Sequence, residues 1–152
     1  MATTTSIQQG DVALMQTPNG GDFCIENGIA EMCAGLEVSA YVSLFGGNEQ
    51  DDGQPDNVRQ YWGNFIETEP SKQLRSRTQF LLKSLPVTAN NLLRVQEAAK
   101  LDLQWFLDGN IASAIEVVAT IPAVNEVQLV INIEAQGDEH NFTFTENWKA
   151  SV

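Results

Sequence analysis

The chain has 152 residues, 43% of them apolar, and carries 20 acidic against 8 basic side chains, for a formal net charge of −12. This length and apolar fraction predict a folded domain with its own core, and the acidic balance disfavours binding to the phosphate backbone of nucleic acids. No apolar run approaches the roughly 20 residues that span a bilayer, and the N-terminus lacks the basic start and apolar core of a signal peptide. We therefore expect neither nucleic acid nor a membrane as a partner.

The N-terminal residues predict an arm followed by a hairpin. Met1–Gln9 is polar and Thr-rich, and we expect it to be a flexible arm. Asp11–Met15 and Asp22–Ile25 are short candidate strands, and the Asn19-Gly20 pair between them tolerates the positive φ of a tight turn. Asn27-Gly28 predicts a second turn.

The next segment predicts a helix and then a loop. Over Ile29–Phe45, apolar residues recur at helical spacing, so we expect a short helix despite the β-branched content. Gly46–Arg59 reads as a loop on its Gly, Asp and Asn content. Its carboxylates at Asp51, Asp52 and Asp56 lack the alternating spacing and the closing Glu of an EF-hand, so we do not expect a calcium site.

Aromatic side chains cluster at Tyr61-Trp62-Gly63-Asn64-Phe65. Such a cluster forms either an exposed recognition patch or part of the core, and we favour the core because each ring buries a large apolar area. The cysteines, Cys24 and Cys33, are too few for a disulfide scaffold and wrongly spaced for a zinc knuckle. We expect both to be reduced.

Two helices are predicted in the second half of the chain. Gln73–Leu85 has helical periodicity and ends before Pro86, which disfavours helix in the residue preceding it. Its cations form either a solvated face or salt bridges to the surplus carboxylates. Thr88–Gly109 predicts a long amphipathic helix, with Thr88 as N-cap and Gly109 in a left-handed C-terminal cap.

Three strands should follow and provide a surface for the long helix. Ile111–Ile121 is rich in Ile and Val, and residues 127–135 alternate cleanly between apolar and polar side chains. Residues 142–148 continue the alternation after a hairpin turn at 136–139. The sequence therefore predicts a single α+β domain over residues 10–152: an N-terminal hairpin, two to three helices, and the long helix packed on a C-terminal antiparallel meander.

No motif in the chain indicates catalysis, a metal or a cofactor. His140 is the only histidine and has no neighbouring nucleophile, while zinc needs three or four suitable ligands. Glu67 and Glu69 are close enough in sequence to be considered as a glycosidase pair, but nothing marks either as a buried general acid. We expect a protein that is not an enzyme.

The order of several short motifs resembles that of the baseplate wedge and sheath-initiator proteins of contractile phage tails, in the phage Mu-like branch. The motifs are an Asp-led strand and Gly-Asp turn (Asp11–Met15, Gly21-Asp22), an aromatic-Trp-Gly-Asn run (Tyr61-Trp62-Gly63-Asn64), a Ser-Arg pair followed by Leu-Leu (Ser76-Arg77, Leu81-Leu82), a helix ending in an aromatic and an Asp-Gly pair (Asp102–Phe106, Asp108-Gly109) and an aromatic-rich last strand (Phe142–Trp148). The resemblance covers residues 10–148. The chain departs from the family in having Arg75 where a glycine often precedes the Ser-Arg pair, and in lacking the Glu-Pro-Arg triplet that related wedge proteins carry near the end of this helix.

The resemblance implies a structural protein of the virion, located in the tail baseplate after assembly in the host cytoplasm. It implies several copies around the tail axis, with other baseplate wedge proteins and the tail tube and sheath proteins as partners. Sheath assembly would begin by strand addition to an open sheet edge, at 111–121 or at 142–145. The candidate partner-contact residues are Tyr61, Trp62, Gly63, Asn64, Arg75, Ser76, Arg77, Phe142 and Phe144.

Two other classes of function stay open on the sequence. A small acidic adaptor or chaperone module would bind a basic peptide or protein as a monomer. A carbohydrate-active enzyme would lose turnover when Glu67 or Glu69 is replaced by Gln.

Overall fold

A computed structural model describes residues 11–17, 20–30, 32–33, 35–47, 62–69 and 72–148. The predicted arm, the turn residues 18 and 19, most of the Gly46–Arg59 loop and Tyr61 lie outside these residues. The chain divides into two compact units, Met1–Ala40 and Tyr41–Val152, which we describe separately. The expectation of one domain over residues 10–152 stays a prediction.

The first unit contains the predicted hairpin. Its strands are β1 (Asp11–Val12), β2 (Leu14–Thr17), β3 (Gly20–Phe23), β4 (Ile25–Glu26), β5 (Ile29–Ala30) and β6 (Met32–Cys33). All pairings are antiparallel: β2 with β3, β4 with β5, and β1 with β6. Asn27 and Gly28 both have positive φ, which confirms the predicted turn, because that turn geometry requires it at both central positions.

The predicted helix over Ile29–Phe45 is shorter in the structure, because its first residues pair as β5 and β6 instead. Helix α1 is Gly35–Phe45 and continues from the first unit into the second. Local strand pairing therefore overrides the helical spacing at 29–33. Cys24 is a free thiol.

The helices of the second unit have the predicted order, but their bounds differ from the prediction. The helix predicted over Gln73–Leu85 begins at Arg77, because the Asp102 carboxylate accepts the first helical amides, those of Arg77 and Thr78. After the 3-10 helix Trp62–Phe65 come α2 (Arg77–Ser84), α3 (Ala89–Asp102) and α4 (Gln104–Asp108). The predicted long helix is thus two helices that meet at Leu103, whose φ of −95° and ψ of −3° interrupt the regular turn. Thr88 is the N-cap of α3, and its Oγ1 accepts a hydrogen bond from the Asn91 amide at 3.1 Å.

The predicted cap at Gly109 is wrong. Gly109 has a φ of −86°, and the following residue, Asn110, takes the left-handed position with a φ of 55°. Asparagine tolerates that conformation because its short polar side chain bonds locally. The reversal into the sheet is therefore made one residue later than the glycine suggested.

The meander has the predicted order. Its strands are β7 (Ala114–Thr120), β8 (Glu126–Ala135) and β9 (Asp138–Asn147), paired antiparallel in the order β7-β8-β9. Gln136 and Gly137 form the tight turn between β8 and β9 with positive φ. The α+β class is confirmed.

The core of the second unit lies between one face of this sheet and the helices. Alternate residues of β8 are fully buried, and α3 packs along β7. The largest fully buried side chains of this core are Leu44, Val95, Leu103, Phe106, Val117, Val127, Leu129, Ile131, Ile133 and Trp148. None of the helices in the described part of the chain is long and apolar enough to cross a membrane.

Candidate protein-interaction site

The Trp-Gly-Asn motif and the Ser-Arg motif, which are predicted as separate contacts, meet in the structure. The Asn64 side chain is buried and brackets Leu74: its Nδ2 donates to the Leu74 carbonyl at 2.7 Å, and its Oδ1 accepts from the Leu74 amide at 2.8 Å. Gln73 Nε2 donates to the Glu67 carbonyl at 2.9 Å. These bonds fix the backbone of the segment Lys72–Arg77, which we call the basic segment.

Ser76 ties the basic segment to the end of α1. It is fully buried, and its Oγ donates to the Ser43 carbonyl at 2.9 Å and accepts from the Gly46 amide at 3.1 Å. Ser43 in turn accepts a bond from Trp105 Nε1 at 2.9 Å. The Ser76 side chain thus has a structural role, and a direct contact with a partner would require this network to open.

Asp102 holds the start of α2. Its carboxylate accepts bonds from the Arg77 amide at 3.0 Å, from Arg77 Nη1 at 3.3 Å, and from the Thr78 amide and hydroxyl, both at 2.8 Å. A carboxylate at a helix N-terminus satisfies amides that lack partners within the helix. Burial raises the pKa of Asp102 to about 6, and the bonds from Thr78 and Arg77 oppose that rise.

Asp102 was not predicted as a site residue, although the sequence carries a signal for it. Position 102 lies three residues after Ala99 and seven after Val95, both fully buried. An acidic residue on the apolar stripe of an amphipathic helix is the pattern of a buried, partnered charge.

Two adjoining grooves flank this cluster. The first, of about 750 Å³, runs between the basic segment and α4. Its lining includes the half-exposed Trp105, three cations and two carboxylates, namely Lys72, Arg75, Arg77, Asp102 and Asp108. The second, of about 510 Å³, lies between α2 and α3 and shares Arg77 and Leu101 with the first. In this acidic protein, four of the eight basic residues line these two grooves, namely Lys72, Arg75, Arg77 and Arg94.

The aromatic motif differs from the expectation that it folds into the core. Phe65 is 69% exposed and its neighbour Ile66 is 74% exposed. The side chains of Trp62 and Gly63 are not among those the structure describes. Of the motif's described side chains, Asn64 is buried and bonds to Leu74, whereas Phe65 is exposed.

Phe142 and Phe144 lie on the buried face of the sheet. The Phe144 ring packs edge-on against Tyr41 and Phe45 of α1, with centroids 5.7 and 6.1 Å away. Both phenylalanines are more than nine-tenths buried. At this strand, then, the surface open to a partner is the backbone edge of β9 and not these two rings.

Hydrogen bonding distinguishes the two edges of the meander. On β7, the Ala119 amide donates to Gln96 Oε1 of α3 at 3.0 Å, so this amide points away from β8. Residues of an antiparallel strand alternate between bonding one neighbour and facing the other side. The edge of β7 is therefore partly occupied by α3.

On β9, in contrast to β7, the backbone groups that point away from β8 have no bond to a helix among the described residues. The Trp148 amide donates to the Asn125 carbonyl at 2.7 Å, which places even-numbered residues of β9 in bonded pairs with β8. By alternation, Asn141, Thr143 and Thr145 direct their amides and carbonyls outward, and their side chains are exposed. Within the described ranges, no strand pairs with this outer edge.

The residues weighed for catalysis are engaged in local contacts. Glu67 Oε1 accepts a bond from the Glu69 amide at 2.9 Å, and Glu69 forms an ion pair with Lys72 at 2.6 Å. His140 is half-buried on β9. Among the residues that the structure describes, no three His, Cys, Asp or Glu side chains are grouped as metal ligands.

Comparison with models of known protein families found no match, and neither the curated proteins nor the solved structures gave one.

Proposed function

We propose that this protein is a structural subunit of the baseplate of a contractile phage tail or a related injection machine, where it docks as a wedge component and starts sheath assembly. A neighbouring sheath subunit would add a strand to β9. The proposal takes its class from the order of motifs along residues 10–148. The observation that carries it is the outer edge of β9, with which no other strand of the described residues pairs.

The geometry of β9 suits strand addition better than that of β7. An added strand needs a row of outward amides and carbonyls, which β9 offers through Asn141, Thr143 and Thr145. On β7, the corresponding amide of Ala119 already bonds Gln96. We therefore assign the sheath contact to β9.

The wedge contacts are assigned to the basic segment. Asn64 and Ser76 fix its backbone from within, while Arg77 keeps half of its side chain in solvent beside Asp102. A rigid backbone that presents cations lowers the conformational entropy lost on binding. In this proposal Asn64 and Ser76 are positioning residues, and Arg75 and Arg77 make the contacts.

The first experiment is electron microscopy of particles assembled without this gene. Tubes or baseplates without polymerised sheath would support the sheath-initiator role, and loss of the baseplate itself would support an earlier wedge role. Intact contractile tails would show that the structural proposal is wrong. The acidic binding module would then take its place.

A point variant tests the strand contact directly. Thr143→Pro removes one outward amide and leaves the pairing with β8 intact, since proline is tolerated at strand edges. Complementation with this variant should give baseplates with little sheath, while Thr143→Val, which keeps the amide, should restore full tails. Asn141→Pro repeats the test at a second position, and circular dichroism of the purified variants checks folding. Full sheath with both proline variants would exclude β9 as the acceptor.

A further inference from the structure

The outer surface of the α2–α3 pair carries an apolar groove that the core does not use. Phe80 and Leu81 form its α2 side, one helical turn from Arg77. On α3, Leu93 and Leu101 are 61% and 57% exposed. Together with Phe80 and Leu81, these two leucines give the groove a mainly apolar lining, which makes it a candidate interaction site.

Cations stand at both ends of this groove. Arg77, at the start of α2, lies beside the end of α3, where its Nη1 contacts Asp102. Arg94 lies seven residues before Leu101 on α3, about 10 Å along the helix axis. The acidic residue of the groove, Glu97, is paired with Lys100 at 3.0 Å, so its charge is locally offset.

We infer that this groove docks an acidic amphipathic helix of a partner protein. Charge complementarity favours an acidic occupant, because Arg77 retains guanidinium donors beyond the contact with Asp102 and half of its side chain is exposed. Arg77 contacts Asp102, which lies eight residues after Arg94 on α3, about 12 Å along the helix axis. Acidic residues about two turns apart on the docked helix, close to one heptad, would therefore lie near the two cations. Apolar residues between them would cover Leu93 and Leu101, in the helix-in-groove mode.

This inference does not depend on the proposed baseplate role. Strand addition at β9 uses backbone groups of the sheet, whereas the groove uses side chains of two helices. The groove shares Arg77 with the proposed wedge contact, so the test variants are made at Arg94, Leu93 and Leu101, which neither the wedge contact nor strand addition uses. Failure of these variants to change peptide binding would overturn the groove alone and leave the baseplate proposal standing.

The test uses the full-length protein and a fluorescein-labelled synthetic helix of about 15 residues, a length at which isolated helices become marginally stable. The peptide carries two glutamates one heptad apart and leucines on the same face; its partner peptide has lysines in place of the glutamates. Fluorescence polarisation should show the glutamate peptide binding at least about tenfold more tightly than the lysine peptide, and binding should weaken as salt is added.

Charge-reversal variants locate the contact. Arg94→Glu should weaken the glutamate peptide by about tenfold or more and improve the lysine peptide, whereas Lys83→Glu, an equal change of charge on α2 outside the groove, should alter neither. Leu93→Asp and Leu101→Asp should also abolish binding. Both leucines are exposed, so these variants should fold as the wild type does.

Three outcomes would overturn the inference. The first is equal affinity of the protein for the two peptides. The second is no binding of the glutamate peptide at about 1 mM, which corresponds to a binding free energy weaker than about −4 kcal/mol. The third is an affinity for the glutamate peptide that Arg94→Glu leaves unchanged. If the protein instead binds vesicles of anionic phospholipid through the same residues and does not bind the peptide, the groove is a membrane-contact surface and the inference is wrong.

Discussion

Replacing Glu146 with Gln should remove a pH dependence of stability that is built into β9. Glu146 lies on the buried face of the strand with 7% of its surface exposed, and its Oε1 has no hydrogen-bond partner among the residues that the structure describes. Burial raises the pKa of Glu146 from 4.5 to about 7. Burial also raises the pKa of Tyr41 to about 12, with a smaller contribution from Glu146, so the two side chains influence each other.

The direction of the effect follows from which state ionises first. Below about pH 4.5 the Glu146 carboxyl is protonated in both the folded and the unfolded protein, so its ionisation does not lower the free energy of unfolding. Between about 4.5 and about 7 the unfolded chain ionises while the folded protein stays protonated, so stability falls by about 1.4 kcal/mol per pH unit. Above about pH 7 the full loss, about 3 kcal/mol, is present.

Gln cannot ionise and has nearly the same shape. Relative to wild type, the free energy of unfolding of Glu146→Gln should therefore rise by about 3 kcal/mol between about pH 4 and about pH 8. A pH-independent difference in the free energy of unfolding between the two proteins is also expected, because the buried amide of Gln brings its own unpaired donor. The part of the total difference that changes with pH measures the effect of ionising Glu146.

Urea unfolding followed by circular dichroism at several pH values measures this difference. Glu134→Gln is the matched control, because this substitution removes the same charge from the same sheet at an exposed position of β8. Its difference from wild type should stay within about 0.5 kcal/mol. Asp102, with its pKa of about 6, titrates in all three proteins and cancels. Parallel curves for wild type and Glu146→Gln across this range would refute the reasoning.

Two further substitutions test other parts of the second unit. Asp102→Ala removes a buried acceptor of four bonds at the start of α2 and should lower the free energy of unfolding by about 2–4 kcal/mol, whereas Asp108→Ala, at an exposed site, should have little effect. An equal effect of the two would contradict the capping role. Gly46→Ala should lower the free energy of unfolding by about 1–3 kcal/mol, because a Cβ there would clash with the Val42 carbonyl oxygen. Gly35→Ala, with open space around it, should be neutral or stabilising in the same urea unfolding measurements. A Gly46→Ala protein as stable as wild type would show that the end of α1 adapts.

Local chemistry accounts for what the sequence predicted correctly. The Thr88 cap and the Gln136-Gly137 turn each depend on a few neighbouring residues, and both lie where expected. The alternation along β8 predicted its buried face for the same reason. The break at Leu103 could not be read in this way, because it accompanies bonds that Asp102 and Trp105 make to α2 and α1.

The candidate site was only partly predictable. The sequence pointed to Asn64 and to the Ser-Arg pair, but not to their contact through Leu74, which joins positions ten residues apart in the chain. Glu146 shares the alternation phase of Phe144 and Trp148, and this phase marks it as a buried acid. The outward-facing backbone of β9 depends on register, which the strand sequence alone does not give.

The chemistry of the β9 edge limits what the strand pairs with. An open edge invites pairing between copies, and proteins counter this with charged or polar side chains near the edge. The exposed side chains of β9 are all polar or acidic, and the chain carries a net charge of −12; they are Asp138, Glu139, Asn141, Thr143, Thr145 and Asn147. Like-charged copies repel each other at low salt, and polar side chains lower the gain from stacking them. An edge that no other described strand pairs with, under these conditions, favours a specific strand from a different protein over a second copy, as the proposed sheath initiation by strand addition requires.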